Sequence, residues 1–203
     1  VGLLMHKDLI TLKQISQPIL EDIKIFQQEF ENALNSEVRL INSISKYMIR
    51  NKGKNIRPIL TILSARLCGE PTINSYRAAA MMELLHIATL IHDDVVDESI
   101  TRRGKESIHT KWDNAHGVLV GDFVYSKAFQ LMASFDEPKI IRTLADSTNR
   151  ISEGEVLQLT LKNQSILSEE DYFEVIDRKT AELFKVSAVT AGILCSCDNT
   201  LLK

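Results

Sequence analysis

Glu83-Leu-Leu-His-Ile-Ala-Thr-Leu-Ile-His-Asp-Asp-Val-Val-Asp97, followed at once by Glu98-Ser-Ile-Thr-Arg-Arg-Gly104, is the stretch whose reading decides the fold. Leu84, Leu85, Ala88, Ile91 and Val95 recur at steps of three and four residues, which predicts a helix with one apolar face. Asp93 and Asp97 stand one turn apart on a common side of that helix, with Asp94 beside them. Like charges at this spacing cost roughly 0.2–0.5 kcal/mol even when solvated, and a helix C-terminus disfavours them further. A divalent cation reverses both penalties. Mg²⁺ typically takes one or two carboxylates together with waters and substrate phosphates. Arg102 and Arg103, just beyond the acidic turn, offer forked donors for phosphate oxygens that the cation does not reach.

Working outward, 203 residues suit one domain, and a 44% hydrophobic fraction is enough for a sizeable core. A net charge of −3 argues against a nucleic-acid partner, whose footprint would be basic. Cys68, Cys195 and Cys197 form an odd, scattered set that suits a reducing cytoplasm better than a disulfide framework. No apolar run reaches the length of a membrane span. Four prolines and eight glycines among long 3.6-period segments predict an all-α protein.

The predicted helices follow in order. Ile19, Ile23, Phe26, Phe30 and Leu34 form one stripe. Ser36 is the expected N-cap of a second helix carrying Val38, Leu40, Ile41, Ile44 and Met48. A third runs from Ile59 to Leu67 with Gly69 as C-cap, and Ser75 is the expected cap of the long helix quoted above. Glu98 to Asn114 reads as a polar connection. Helices then run from Val118 to Met132, from Pro138 to Gln158, and from Ser168 through Lys179-Thr180. Gly53-Lys-Asn-Ile-Arg-Pro58 is a second informative site. It places Lys54 and Arg57 where a loop enters a helix, and free N–H groups there favour anions. Two basic residues in such a place are, taken alone, more often solvated surface.

His-Asp-Asp-Val-Val-Asp-Glu-Ser-x-x-Arg-Arg-Gly resembles the first aspartate-rich motif of the trans-type polyprenyl diphosphate synthases, and the similarity extends from about Ile19 to Leu194. Within that family the nearest match is to the bacterial members that make the ubiquinone side chain. The resemblance implies an all-α helical bundle of isoprenoid-synthase type around a central cavity, with residues 1–203 as the N-terminal part of a single domain. It implies Mg²⁺ on Asp93, Asp94 and Asp97. Lys54, Arg57, His86 and Arg103 are implied to hold isopentenyl diphosphate. Arg102, Lys179 and Thr180 are implied to hold the allylic diphosphate, such as farnesyl diphosphate, with Gln158 facing the reaction cavity. Small side chains at Ala88 and Thr89 imply an open cavity for a long, octaprenyl-like product. Phe123, Leu131 and Met132 are candidates for its floor, although each is equally a core residue. A cytoplasmic homodimer is the implied form. His92 has no role in the family and is expected to be structural.

Two departures stand out. A lysine occupies position 52 where the family often has a second glycine. No second Asp-Asp-x-x-Asp follows, and Asp198 is isolated, so this stretch is expected to be incomplete and weakly active or inactive by itself. Competing readings are a terpene cyclase, which needs no Lys54/Arg57/His86 cluster, and an HD-type metal phosphohydrolase, which would use His92 as a ligand. A non-catalytic subunit of a prenyl synthase is the third. Catalysis in the implied reading falls to Asp93, Asp97, Arg102 and Lys179, which assist ionisation of the allylic diphosphate.

Overall fold

The computed structural model describes residues 10–51, 53–162 and 167–197, so that Lys52 and Asp198 lie outside the described residues. The chain there is helical throughout, apart from one small hairpin. Helix α1 (Leu12–Ser16) leads through a tight turn into α2 (Leu20–Ala33), followed by α3 (Arg39–Arg50), α4 (Ile56–Cys68) and α5 (Ile73–Val96). Strands β1 (Thr101–Arg102) and β2 (Lys105–Glu106) form the hairpin, and the short α6 (Ile108–Lys111) precedes α7 (Asn114–Ala133). Helices α8 (Pro138–Lys162), α9 (Glu169–Ile176) and α10 (Glu182–Leu194) complete it, with α9 and α10 joined by a single π-helical turn at Asp177–Ala181.

Helix α5 is the axis of the bundle. Ala78, Ala79, Ala80, Met81, Met82, Glu83, Leu84 and Leu85 are all buried in succession, so this part of the helix is surrounded on every side rather than on one apolar face. Helices α2, α4, α7 and α10 all pack against it, α7 most extensively. Glycines on α7 make that contact close: a Cβ on Gly117 would strike Val95, and one on Gly121 would strike the His92 ring. Phe26, Phe30, Leu34, Ile44 and Ile62 fill the space between α2, α3, α4 and α5. At the edge of that core, Asp22 accepts hydrogen bonds from Arg66 at 2.8 and 3.0 Å and from the Tyr76 hydroxyl at 2.6 Å, which ties α2 to α4 and α5. No helix among the described residues is long and apolar enough to cross a membrane.

Several boundaries differ from the sequence expectation for local reasons. Ser36 does not cap α3. Its hydroxyl accepts from the Val38 N–H, and Val38 is the N-cap. Helix α5 begins at a capping box in which Thr72, not Ser75, is the cap, and Ser75 is the third helical residue, its hydroxyl accepting from the Thr72 N–H at 3.1 Å. Helix α4 starts at Ile56, three residues before Ile59, because Asn55 adopts a left-handed conformation (φ 52°) that ends the loop there. The segment from Glu98 to Asn114 contains the hairpin and α6. Arg103 (φ 54°) and Gly104 (φ 74°) form its two-residue turn, the geometry that suits strand twist. Glycine carries the second position at no steric cost.

Candidate active site

The last turn of α5 carries three aspartates, and each meets a different cation. Asp94 is buried, and Arg102 chelates it through Nε (2.9 and 3.2 Å) and through Nη2. That bond raises the Arg102 pKa above its ordinary value despite partial burial. Asp93 lies 3.1 Å from the Lys179 ammonium, and the same ammonium is 2.5 Å from Glu155 on α8. Asp97, the C-cap of α5, accepts from Lys162 at 3.1 Å. Asp93 is mostly buried beside the Lys179 ammonium and Asp97 is more exposed beside that of Lys162, whereas both oxygens of Asp94 are occupied by a guanidinium. Asp94 thus ties the hairpin to α5, while Asp93 and Asp97 each pair with an ammonium.

The hairpin separates its two arginines. Arg102 turns back to α5. Arg103, held at the turn, donates to the Asn51 carbonyl at 3.2 Å and lies against Gly53, where any side chain would collide with its guanidinium. Arg103 thereby joins Lys54, Arg57, Glu83 and His86 around a cavity of about 510 Å³. The start of α4 supplies Lys54 and Arg57 from the loop and first turn, so unpaired helix N–H groups point the same way. Arg57 lies 4.5 Å above the Phe184 ring of α10, and its buried Nε has no hydrogen-bond partner among the described residues. Burial lowers its pKa, opposed by the nearby Glu83 carboxylate. His86 is pushed down to about 3 by burial and then by Arg57, Arg103 and Arg102, so it is a neutral imidazole at physiological pH. Burial raises the Glu83 pKa while Arg103 and Arg57 oppose it. A pocket with several cations, a neutral histidine and one buried carboxyl is fitted to bind an anion.

Other predicted residues fall into two groups. Lys179 is at the site, but Thr180 and Gln158 are exposed and take no part in the ion pairs around it. Ala88 is completely buried, and the half-buried Thr89 donates its hydroxyl to the His86 carbonyl at 2.8 Å. Phe123 and Met132 are partly buried against the core, and Leu131 shares a surface groove with Glu29, Arg77 and Lys127. Sequence reasoning missed Glu83, Glu155, Lys162 and Phe184. Glu83 alone carried a signal, lying three residues before His86 on the same side of α5. The other three arrive from α8 and α10 through packing.

The His92 Nε2 atom sits 3.2 Å from the Val118 carbonyl and 3.4 Å from Asp122, against Gly121 of α7. These contacts hold the ring, one-third exposed, between α5 and α7. Among the described residues no group of three or more His, Cys, Asp or Glu side chains is assembled for a metal. His92 is accordingly not grouped with two further side chains of these types there. Asp93 and Asp97 offer instead two hard-oxygen donors already balanced by ammonium groups, a donor set that fits Mg²⁺ completed by waters and phosphate oxygens.

Residues 38–203 match the family model described as Polyprenyl synthetase. The chain is 42% identical over 188 residues to the octaprenyl diphosphate synthase of Escherichia coli (strain K12), covering 93% of this chain and 58% of that protein. It is 40% identical over 187 residues to an all-trans-nonaprenyl-diphosphate synthase (geranyl-diphosphate specific) of Rhodobacter capsulatus, covering 91% and 58%. Among solved structures, a decaprenyl diphosphate synthase from Rhodobacter capsulatus superposes with a TM-score of 0.90 at 36% identity, covering 95% of this chain and 59% of that one. A polyprenyl synthase from Caulobacter crescentus CB15, complexed with calcium and isoprenyl diphosphate, gives 0.89 at 36% identity, covering 93% and 57%. The chain thus spans somewhat less than three fifths of the length of these relatives. Its all-α bundle is of isoprenoid-synthase type, and the protein belongs to the polyprenyl synthetase family.

Proposed function

We propose that the protein is a trans-prenyltransferase that adds isopentenyl diphosphate repeatedly to an allylic diphosphate such as farnesyl diphosphate. Its product would be a long all-trans polyprenyl diphosphate, octaprenyl-like and a precursor of a quinone side chain. One observation carries the reading: an acidic turn and a separate cation-lined cavity stand on either side of the same hairpin, and Arg102 and Arg103 point one to each. Two anion-handling sites suit two diphosphate substrates. A cyclase has only one. The Escherichia coli and Rhodobacter capsulatus relatives, named as octaprenyl and nonaprenyl diphosphate synthases, support the same class of reaction.

In this reading Asp93 and Asp97 hold Mg²⁺. The bound ion supplies Lewis-acid neutralisation of the leaving diphosphate. Lys179 and Arg102 add positive charge on the same side, so the allylic C–O bond breaks where charge develops. Lys54, Arg57 and Arg103 hold the second diphosphate, and neutral His86 donates a hydrogen bond to it without adding charge. This orients the double bond of isopentenyl diphosphate toward the allylic cation. A proton is then lost, and the tail grows past Ala88 and Thr89, whose small side chains support a long product. Exposed Val118, Leu119 and Phe129 on α7 support a homodimer, and the three free thiols suit a reducing cytoplasm.

Incubating the whole protein with labelled isopentenyl diphosphate, farnesyl diphosphate and Mg²⁺ tests this directly. Labelled long polyprenyl products are expected. Hydrolysis or cyclisation of farnesyl diphosphate without uptake of label would overturn the reading. In the same assay His92→Gln should keep activity, whereas an HD-type hydrolase would lose it.

A further inference from the structure

Lys179 reaches the acidic turn through a local departure from α-helical geometry. The π-helical turn at Asp177–Ala181 widens the chain by one residue, a feature met mostly as a single turn and often at functional sites. Its backbone rests on α8 at Gly154. A Cβ there would lie 2.7 Å from the Arg178 Cβ and 3.0 Å from the Lys179 nitrogen, so no larger residue fits without moving the turn. The glutamates on either side of Gly154 each take one of the two basic residues: Glu153 binds Arg178 at 2.5 Å and Glu155 binds Lys179 at 2.5 Å. The seat is therefore fixed by backbone contact and by two ion pairs.

Glu155 has an unusual position within this seat. It and Asp93 share one ammonium, at 2.5 and 3.1 Å, and all three side chains are about one quarter exposed or less. Local neutrality would need only one carboxylate. The second has a purpose if Asp93 is engaged elsewhere during the reaction, because the ammonium would then lose its tie to the acidic turn and keep the shorter one to Glu155. We infer that Glu155 is a positioning residue that keeps the Lys179 ammonium beside the acidic turn, ready for the allylic diphosphate, when Asp93 turns to the divalent cation. The inference rests on the function proposed above. A carboxylate acting only through its charge would do the opposite: neutralising it would tighten diphosphate binding.

The sign of the effect therefore decides. Binding of a thiolodiphosphate analogue of farnesyl diphosphate to the whole protein with Mg²⁺ is measured by calorimetry, alongside binding of isopentenyl diphosphate and the thermal midpoint. Glu155→Gln is expected to weaken the allylic analogue about tenfold, as loss of a supporting partner typically does. Isopentenyl diphosphate binding and the midpoint should hardly move. Glu155→Asp should recover part of the loss. In a Lys179→Ala background Glu155→Gln should have no further effect, since it acts through that lysine. Unchanged or tighter analogue binding in Glu155→Gln overturns the inference. So does equal weakening of both diphosphates, or an undiminished effect in the Lys179→Ala background. If the unaltered protein binds neither diphosphate, the proposed function falls, and this inference with it.

Discussion

The acidic turn of α5 and the basic cavity beside α4 differ in how far the chain satisfies its own charges. At the acidic turn every aspartate has a cation: Lys179 for Asp93, Arg102 for Asp94 and Lys162 for Asp97. In the basic cavity, among the described residues, Lys54, Arg57 and Arg103 meet a single carboxyl, Glu83, and the Arg57 Nε has no partner. The first region is balanced as it stands, and in the proposed function it would exchange an ammonium for a divalent cation. The second is under-compensated and is prepared for an anion, because an unpaired buried donor costs about 1–3 kcal/mol until something accepts from it. Two regions on either side of one hairpin thus differ in the charge they leave unbalanced.

The largest expected effect comes from removing the exchangeable aspartates. Asp93→Ala or Asp97→Ala should lower kcat on the order of 10²–10³-fold in the isopentenyl incorporation assay, as loss of a charge-stabilising group does. Asp94→Ala should act on the fold rather than on turnover. It frees Arg102 and should lower folding stability by about 1.5–3 kcal/mol in urea unfolding, the scale of a charge-assisted hydrogen bond.

On the basic side, Arg57→Ala should raise KM for isopentenyl diphosphate by about 10–100-fold, with a smaller change for the allylic substrate. Arg57→Lys should recover little, since an ammonium reproduces neither the fork nor the flat stacking on Phe184. His86 gives a pH signature. Its folded pKa of about 3 lies below the unfolded value of 6.5, so the unfolded chain takes up a proton first as pH falls. Stability should be full above pH 6.5 and decline below it by at most about 1.4 kcal/mol per pH unit. Urea midpoints of His86→Gln should show a flatter decline between pH 7 and 5.

The smallest effect is expected at Lys162. Its pair with Asp97 is largely exposed, so Lys162→Ala should change stability by less than about 1 kcal/mol. Mn²⁺ titration of the same variant should show slightly tighter binding, because Asp97 no longer has a competing ammonium. Weaker Mn²⁺ binding would place Lys162 among the supports of the acidic turn instead of its competitors.

Much of this arrangement was legible without coordinates, for a local reason. Helical period places Asp93 and Asp97 on one side of α5, and Lys54 and Arg57 belong to the few residues that open α4. Such relations depend on spacings of three or four residues and on the chemistry of each side chain. The family motif and the helical class follow from the same short-range information.

Tertiary packing decided the rest. The span from Ala78 to Leu85 is buried on all sides because α2, α4, α7 and α10 surround it, which no periodicity within α5 can announce. Asp94 serves Arg102 because a two-residue turn folds the hairpin back onto the helix. Lys162 and Asp97, Glu155 and Lys179, and Arg57 and Phe184 are partners far apart in the chain. The amino-acid sequence determined which groups could carry charge and where helices would run. Only the assembled bundle decided which charges are neutralised at home and which are left facing a ligand, since Coulomb energy and desolvation depend on distances across helices that local spacing does not set.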